Sequence, residues 1–143
     1  MSNNTDSDLI YKYTRADAIR DGVLIDLDDV PLARGQTGKT MREEAGIRFN
    51  IAVTSALFAE LEPTAADVET CCQSMDGRLW DLFMLFGFSA RKAANAKTDT
   101  IRFEMGIQRA GDDVSTRTIW VKAVIGPGDD WEPVITMMLP DED

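Results

Sequence analysis

Residues 101–107 read Ile-Arg-Phe-Glu-Met-Gly-Ile, so apolar and polar side chains alternate along the run. This period of two is typical of a β-strand that buries one face and exposes the other. Two further runs cover 119–125 and about 133–139, and turns at 111–113 and 126–128 separate the three runs. The pattern therefore predicts a C-terminal β-meander of antiparallel strands.

Helical patterns precede the meander. Residues 78–94 are apolar on nearly every side, which predicts a central helix that begins after a turn at Asp76-Gly77. Asn50 is a suitable N-cap for a second helix over about 51–61, where leucine and valine recur every four residues. Capping boxes at 14–17 and 64–67 predict two short helices, and a brief strand-like run lies between 23 and 27.

These elements predict an α+β domain in which several helices pack on a three- to four-stranded antiparallel sheet. At 143 residues the chain has the size of one domain with one core. We expect this domain to cover residues 9–143, with an exposed loop near 29–42 and a disordered lead-in over 1–8.

Charge and composition narrow the classes of function. The chain has 25 acidic and 15 basic residues, no histidine, and a net charge of −10, so it repels phosphate backbones and direct nucleic-acid binding is not expected. The longest apolar stretch, Leu82 to Phe88, is far shorter than the roughly 20 residues that span a membrane. We therefore expect a cytoplasmic protein without a membrane partner, and adjacent free thiols at Cys71 and Cys72.

One segment resembles a phosphate-binding loop. Residues 33–40 read Ala-Arg-Gly-Gln-Thr-Gly-Lys-Thr, and such loops hold phosphates with backbone N–H groups and a lysine. A phosphate loop follows a buried parallel strand, however, whereas acidic residues and Pro31 precede this one. A flexible basic loop is the preferred interpretation, and the role of Gly38-Lys39-Thr40 stays open. No cofactor is expected.

Asp81 is an acid within the apolar helix, so it must be paired, protonated or turned to the surface. We expect it to pair with Arg78 or another arginine. The alternative is a small carboxylate-based hydrolase or nuclease-like enzyme in which Asp81 and an acid such as Glu104 converge on a metal. The sequence alone assigns no catalytic residue and no metal ligand.

The last residues form the candidate partner-binding site. Of the three tryptophans, Trp80 and Trp120 are expected to pack in the core or on the sheet, whereas Trp131 lies among acids in a turn and is the best candidate for a partner contact. A negative surface at this end would dock on a basic patch. The alternative is a solvated C-terminus that has no partner and favours solubility. The candidate residues are Asp129, Asp130, Trp131, Glu132, Asp141, Glu142 and Asp143.

Three strings carry a family resemblance: residues 10–24 (Ile-Tyr-Lys-Tyr-Thr-Arg-Ala-Asp-Ala-Ile-Arg-Asp-Gly-Val-Leu), 76–81 (Asp-Gly-Arg-Leu-Trp-Asp) and 124–129 (Val-Ile-Gly-Pro-Gly-Asp) together with 132–136 (Glu-Pro-Val-Ile-Thr). In this order they resemble an uncharacterised family of short proteins encoded by bacteria, their plasmids and phages. Relative to that family, residues 29–42 look like an insertion. The resemblance implies a mobile-element or accessory context and supplies no site residues.

The leading hypothesis is thus a small acidic accessory protein that acts by binding a protein with a basic surface. Its narrower form is an inhibitor or nucleic-acid mimic directed at a host defence or nucleic-acid-handling complex. An exposed apolar second face of the sheet, including Trp120 and Val124, would indicate a homodimer or another partner site.

Overall fold

The computed structural model describes residues 12–31, 39–111 and 117–142. Its helices and strands follow one another along the chain, and we number them in that order. They are α1 (Arg15–Arg20), β1 (Leu24–Asp26), α2 (Met41–Glu44), β2 (Asn50–Thr54), α3 (Ser55–Leu61), α4 (Ala65–Cys71), α5 (Met75–Lys92), β3 (Thr100–Ile107), β4 (Arg117–Pro127) and β5 (Pro133–Met138).

The strands form one five-stranded sheet in the order β1-β2-β5-β4-β3. The predicted meander is confirmed, because β3 pairs antiparallel with β4 and β4 with β5. The α+β class is confirmed as well. The prediction of a three- to four-stranded antiparallel sheet is corrected, since β1 and β2 extend the sheet and β2 runs parallel to β5.

Strand β2 replaces the first part of a predicted helix. Ile51, Ala52 and Val53 are all fully buried, because the sheet is covered on both sides at this position. A short apolar run without alternation fits a two-sided buried strand as well as a buried helix. The helix begins later, at α3, where the Thr54 hydroxyl accepts a hydrogen bond from the N–H of Leu57.

The main core lies between α5 and one face of the sheet. Alternate residues of β3 from Ile101 to Ile107 are buried beneath α5, as the alternation predicts. Leu82 and Phe83 are fully buried on the helix side. The predicted turn at Asp76-Gly77 is wrong: both residues belong to the first turn of α5, and the Ser74 hydroxyl accepts a hydrogen bond from the Gly77 N–H.

Helix α1 lies on the opposite face of the sheet. The capping box of Thr14 with Asp17 is confirmed, and Ala18 is buried where α1 meets the sheet. This cover does not extend over β4, so Trp120 keeps 48% of its surface exposed and Val124 is half-buried.

The 29–42 segment is described only at its two ends. Pro31 and Thr40 form an isolated antiparallel bridge. Thr40 is the N-cap of α2 and forms a capping box with Glu43. The predicted lead-in over 1–8 and residues 33–38 of the phosphate-loop-like string lie outside the described residues.

Candidate interaction site

The turn between β4 and β5 is closed by its own hydrogen bonds. The Gly128 N–H donates to the Glu132 carbonyl at 2.6 Å, and the Trp131 N–H donates to the Gly128 carbonyl at 3.1 Å. The Asp130 N–H donates to Oε2 of Glu132 at 2.9 Å. A Cβ at Gly128 would lie only 1.9 Å from Oε1 of Glu132, so this glycine permits the close approach. The turn therefore holds a defined shape.

Trp131 projects from this turn into solvent. It keeps 84% of its surface exposed, and its φ of 67° lies in the left-handed region. An L-residue pays roughly 1–2 kcal/mol for that conformation, and bulky residues rarely adopt it. Neither burial nor backbone preference explains a tryptophan here.

Asp129 anchors the same turn to α1. Its two carboxylate oxygens accept hydrogen bonds from the backbone N–H groups of Arg15 and Ala16, at 2.8 and 3.0 Å. The Arg15 guanidinium in turn donates to Oγ1 of Thr136 and to the Ile135 carbonyl, at 2.7 and 3.0 Å. Burial lowers the pKa of Arg15 from its ordinary value. Asp129 therefore has a structural task, whereas Asp130 is left on the surface.

The predicted partner-binding residues fall into two groups. Asp129, Asp130, Trp131 and Glu132 precede β5, whereas Asp141 and Glu142 follow it. Six strand residues, a length of roughly 20 Å, separate the groups. Asp143 lies outside the described residues. The described residues thus form two acidic regions rather than one.

Of the C-terminal group, Glu142 is engaged within the fold, whereas Asp141 is exposed. Oε2 of Glu142 accepts hydrogen bonds from the Thr54 hydroxyl at 2.6 Å and from the Leu139 N–H at 2.8 Å. Nζ of Lys122 donates to the Glu142 carbonyl. Glu142 therefore fastens the residues after β5 to β2 and β4, and Asp141 remains exposed, as Asp130 does in the turn.

A pocket of about 260 Å³ lies at the end of the sheet that carries the turn. Ile125 and Ile135, which are paired across β4 and β5, line it together with Phe86 and Ala90 of α5 and the segment Ala45–Phe49. Its walls are mostly apolar. Sequence reasoning missed this pocket because the contributing segments lie far apart in the chain.

Two arginines border the pocket. Arg48 precedes β2, and Arg91 lies in the last turn of α5, where its guanidinium carbon is 5.2 Å from the centre of the Phe88 ring. In the described part of the chain, neither guanidinium forms a salt bridge with a carboxylate. The rim of the pocket is thus cationic, although the chain as a whole is acidic.

The carboxylates of the alternative enzyme hypothesis do not meet. Asp81 is exposed on the side of α5 that faces away from the sheet, and Glu104 is exposed on the opposite face of the sheet. The expected pairing of Asp81 with Arg78 is wrong, because Arg78 pairs with Asp67. Over residues 12–31, 39–111 and 117–142, no group of three or more cysteine or acidic side chains is arranged to hold a metal ion.

Comparison with protein families identifies the family of this chain. A model of the DUF6573 family, a family of unknown function, matches residues 1–143. The chain belongs to the DUF6573 family. No curated protein and no solved structure matches this DUF6573 protein. Among its described helices, none has both the length and the apolar character needed to cross a membrane.

Proposed function

We propose that this protein is a small acidic accessory protein of a mobile element or bacterial genome, and that it acts by binding another protein. The β4–β5 turn, residues 128–132, is the contact surface. The observation that carries the proposal is Trp131, which is 84% exposed in a left-handed conformation on a turn fixed by hydrogen bonds. Positions at which a protein departs from local backbone preferences are often functional.

The chemistry of the turn defines the partner. Exposed tryptophans are frequent anchors of protein interfaces, where they enter apolar pockets of the partner. Asp130 lies beside this anchor with an accessible carboxylate. The matching surface is therefore an apolar pocket bordered by lysine or arginine.

The net charge of −10 also favours a partner with a basic surface. A negative protein approaches a basic surface faster than a neutral one, because its field steers the encounter. Proteins that handle nucleic acids present such basic surfaces. The narrower proposal is an inhibitor or nucleic-acid mimic that occupies such a surface in a host defence or nucleic-acid-handling complex.

The test is an affinity capture from bacterial lysate with three forms of the chain. They are the wild type, Trp131→Gly, and Trp120→Thr, which removes a half-exposed tryptophan from the sheet. The proposal expects a stoichiometric partner for the wild type and Trp120→Thr, and loss of that partner with Trp131→Gly. Cross-linking from the turn should then map to a basic surface of the partner, and higher salt should weaken the capture. Equal recovery by all three forms would reject the turn as the contact surface.

A further inference from the structure

We infer that a second copy of this chain is one partner of the turn: Trp131 of each copy enters the apolar pocket of the other, between Arg48 and Arg91. The inference rests on the proposed role of Trp131 as a binding anchor. The proposed partner surface is an apolar pocket bordered by basic residues. This chain has such a pocket of its own, so a second copy can bind the turn.

The size of the pocket is compatible with an indole side chain. Its volume of about 260 Å³ is below the range of roughly 300–1,000 Å³ that is usual for small-molecule sites. An apolar cavity of about 150 Å³ accommodates a benzene ring. The pocket therefore has room for a single bicyclic side chain, and an indole is such a group.

Charge selects the same occupant. The anchor is flanked by Asp130, whose carboxylate is exposed, and by Glu132, whose Oε2 already accepts a hydrogen bond within the turn, whereas the pocket is bordered by Arg48 and Arg91. These arginines have no carboxylate partner within the described residues. An aromatic residue between acids thus faces an apolar pocket between arginines. Guanidinium groups bind carboxylates with two parallel hydrogen bonds, which adds geometric specificity.

The topology allows the Trp131 side chain of each copy to enter the pocket of the other at the same time. The pocket floor, Ile125 with Ile135, lies just inside the turn that joins the same two strands. Ile135 follows Trp131 by only four positions, or at most roughly 14 Å of chain. Because the anchor and the pocket share one end of the molecule, a twofold axis at that end can exchange the two anchors.

The net charge opposes this association only at long range. Each copy carries −10, but the Debye length at 0.15 M salt is about 8 Å, so the repulsion between distant charges is largely screened. Carboxylate–arginine pairs that are partly shielded from water at the contact are screened much less. Dimerisation is therefore expected at physiological salt and is weakened when the salt is removed.

The first experiment measures mass against concentration at about 0.15 M salt, by sedimentation velocity from micromolar to millimolar protein. The wild type should form dimers. Trp131→Gly and the double variant Arg48→Glu with Arg91→Glu should each raise the dissociation constant at least about 30-fold, the loss expected for a central anchor. Trp120→Thr is the matched control and should dimerise like the wild type. The inference would be overturned if the wild type were monomeric at every concentration, or if the dissociation constant of the dimer were unchanged in both variants.

The second experiment mixes the two defective variants. Trp131→Gly keeps an intact pocket, and the double arginine variant keeps an intact anchor, so the mixture can form one of the two contacts. Native mass spectrometry should detect heterodimers at concentrations where each variant alone is monomeric. The absence of heterodimers would contradict the exchange of anchors. Circular dichroism of each variant checks that its fold is retained.

The third experiment observes Trp131 directly. In a chain with Trp80→Phe and Trp120→Phe, Trp131 is the remaining tryptophan. Its emission should shift to the blue as the concentration rises, because the indole leaves water. Emission that does not change with concentration would refute the inference. If the turn still captured a lysate partner in that case, the proposed function would stand without the dimer.

Discussion

Arg78 and Asp67 form an ion pair inside the protein, with Nη2 of Arg78 at 3.4 Å from Oδ2 of Asp67. Arg78 also donates to the carbonyls of Leu61 and Gln108, at 2.9 and 2.7 Å. A single guanidinium thus connects the end of α3, helix α4 and the end of β3 to the first turns of α5. Its donors are satisfied at a position where only 2% of the residue is exposed.

Replacement of Arg78 by methionine should therefore lower the free energy of unfolding strongly. The change leaves a carboxylate and two carbonyls without their partner, and breaking one side of a buried ion pair typically costs roughly 3–5 kcal/mol. The control is Arg109→Met, because Arg109 forms a 2.8 Å ion pair with Glu60 in which both side chains are partly exposed. Such a pair contributes about 1 kcal/mol or less. Urea unfolding of both variants measures the difference, and equal losses would contradict this ranking.

The same pair predicts a pH dependence. Hydrogen bonds from the N–H groups of Ala110 and Thr64 lower the pKa of Asp67 from 3.8 to about 2, and Arg78 adds to the effect. A carboxyl whose pKa is depressed by folding stabilises the protein above its unfolded pKa and loses this contribution as the pH falls through the folded value. The free energy of unfolding should fall between pH 3.8 and about 2, and Asp67→Asn should flatten that part of the profile.

Asp81→Asn provides a control of opposite sign. Partial burial raises the pKa of Asp81, so the folded state binds this proton more tightly than the unfolded state. Ionisation of Asp81 therefore disfavours the fold as the pH rises past its ordinary value. The variant should be no less stable than the wild type at pH 7, in thermal melts recorded beside those of Asp67→Asn. A clear loss of stability would show that Asp81 has a partner that the structure lacks.

The sequence predicted the helices and strands that are marked by local sequence signals. Capping boxes marked α1 and α4, and alternation marked β3 to β5, because these signals are local. Pairing direction is not local. Strand β2 lies about 80 residues before β5 in the chain, and its apolar run of 51–53 is equally compatible with a helix. The partner of Arg78 was missed for the same reason, since Asp67 belongs to another helix.

The candidate site was predicted only in part. Trp131 and its acidic neighbours were identified from composition, and the structure leaves Trp131 exposed on a turn. The left-handed backbone could not be read from the sequence, because no glycine or asparagine marks the position. Asp129 and Glu142 look like surface acids in the sequence, yet their oxygens are occupied by N–H and hydroxyl groups from distant elements.

Asp129 and Asp130 are neighbours with different expected roles. Asp129→Ala removes the acceptor of two N–H groups at the start of α1, and the loss of comparable helix-terminal hydrogen bonds costs about 0.5–2 kcal/mol. Asp130→Ala removes an exposed carboxylate and should change the free energy of unfolding by less than about 0.5 kcal/mol. Hydrogen exchange at the amides of Arg15 and Ala16 should accelerate in the first variant alone. Similar exchange in both variants would show that Asp129 does not hold α1.

Trp131 gives a prediction that separates folding from binding. Glycine adopts the left-handed conformation at no steric cost, whereas alanine retains the Cβ that causes the strain of roughly 1–2 kcal/mol. Glycine also makes the unfolded chain more flexible, which offsets about 0.4–1 kcal/mol of that gain. Since the indole is largely in solvent, its loss removes little buried surface. Chemical denaturation should therefore find Trp131→Gly at least as stable as Trp131→Ala, by up to about 1.6 kcal/mol, while both lose the binding that depends on the indole. If alanine were clearly the more stable, the strain at this position would be disproved, and with it the argument that the tryptophan is kept for binding.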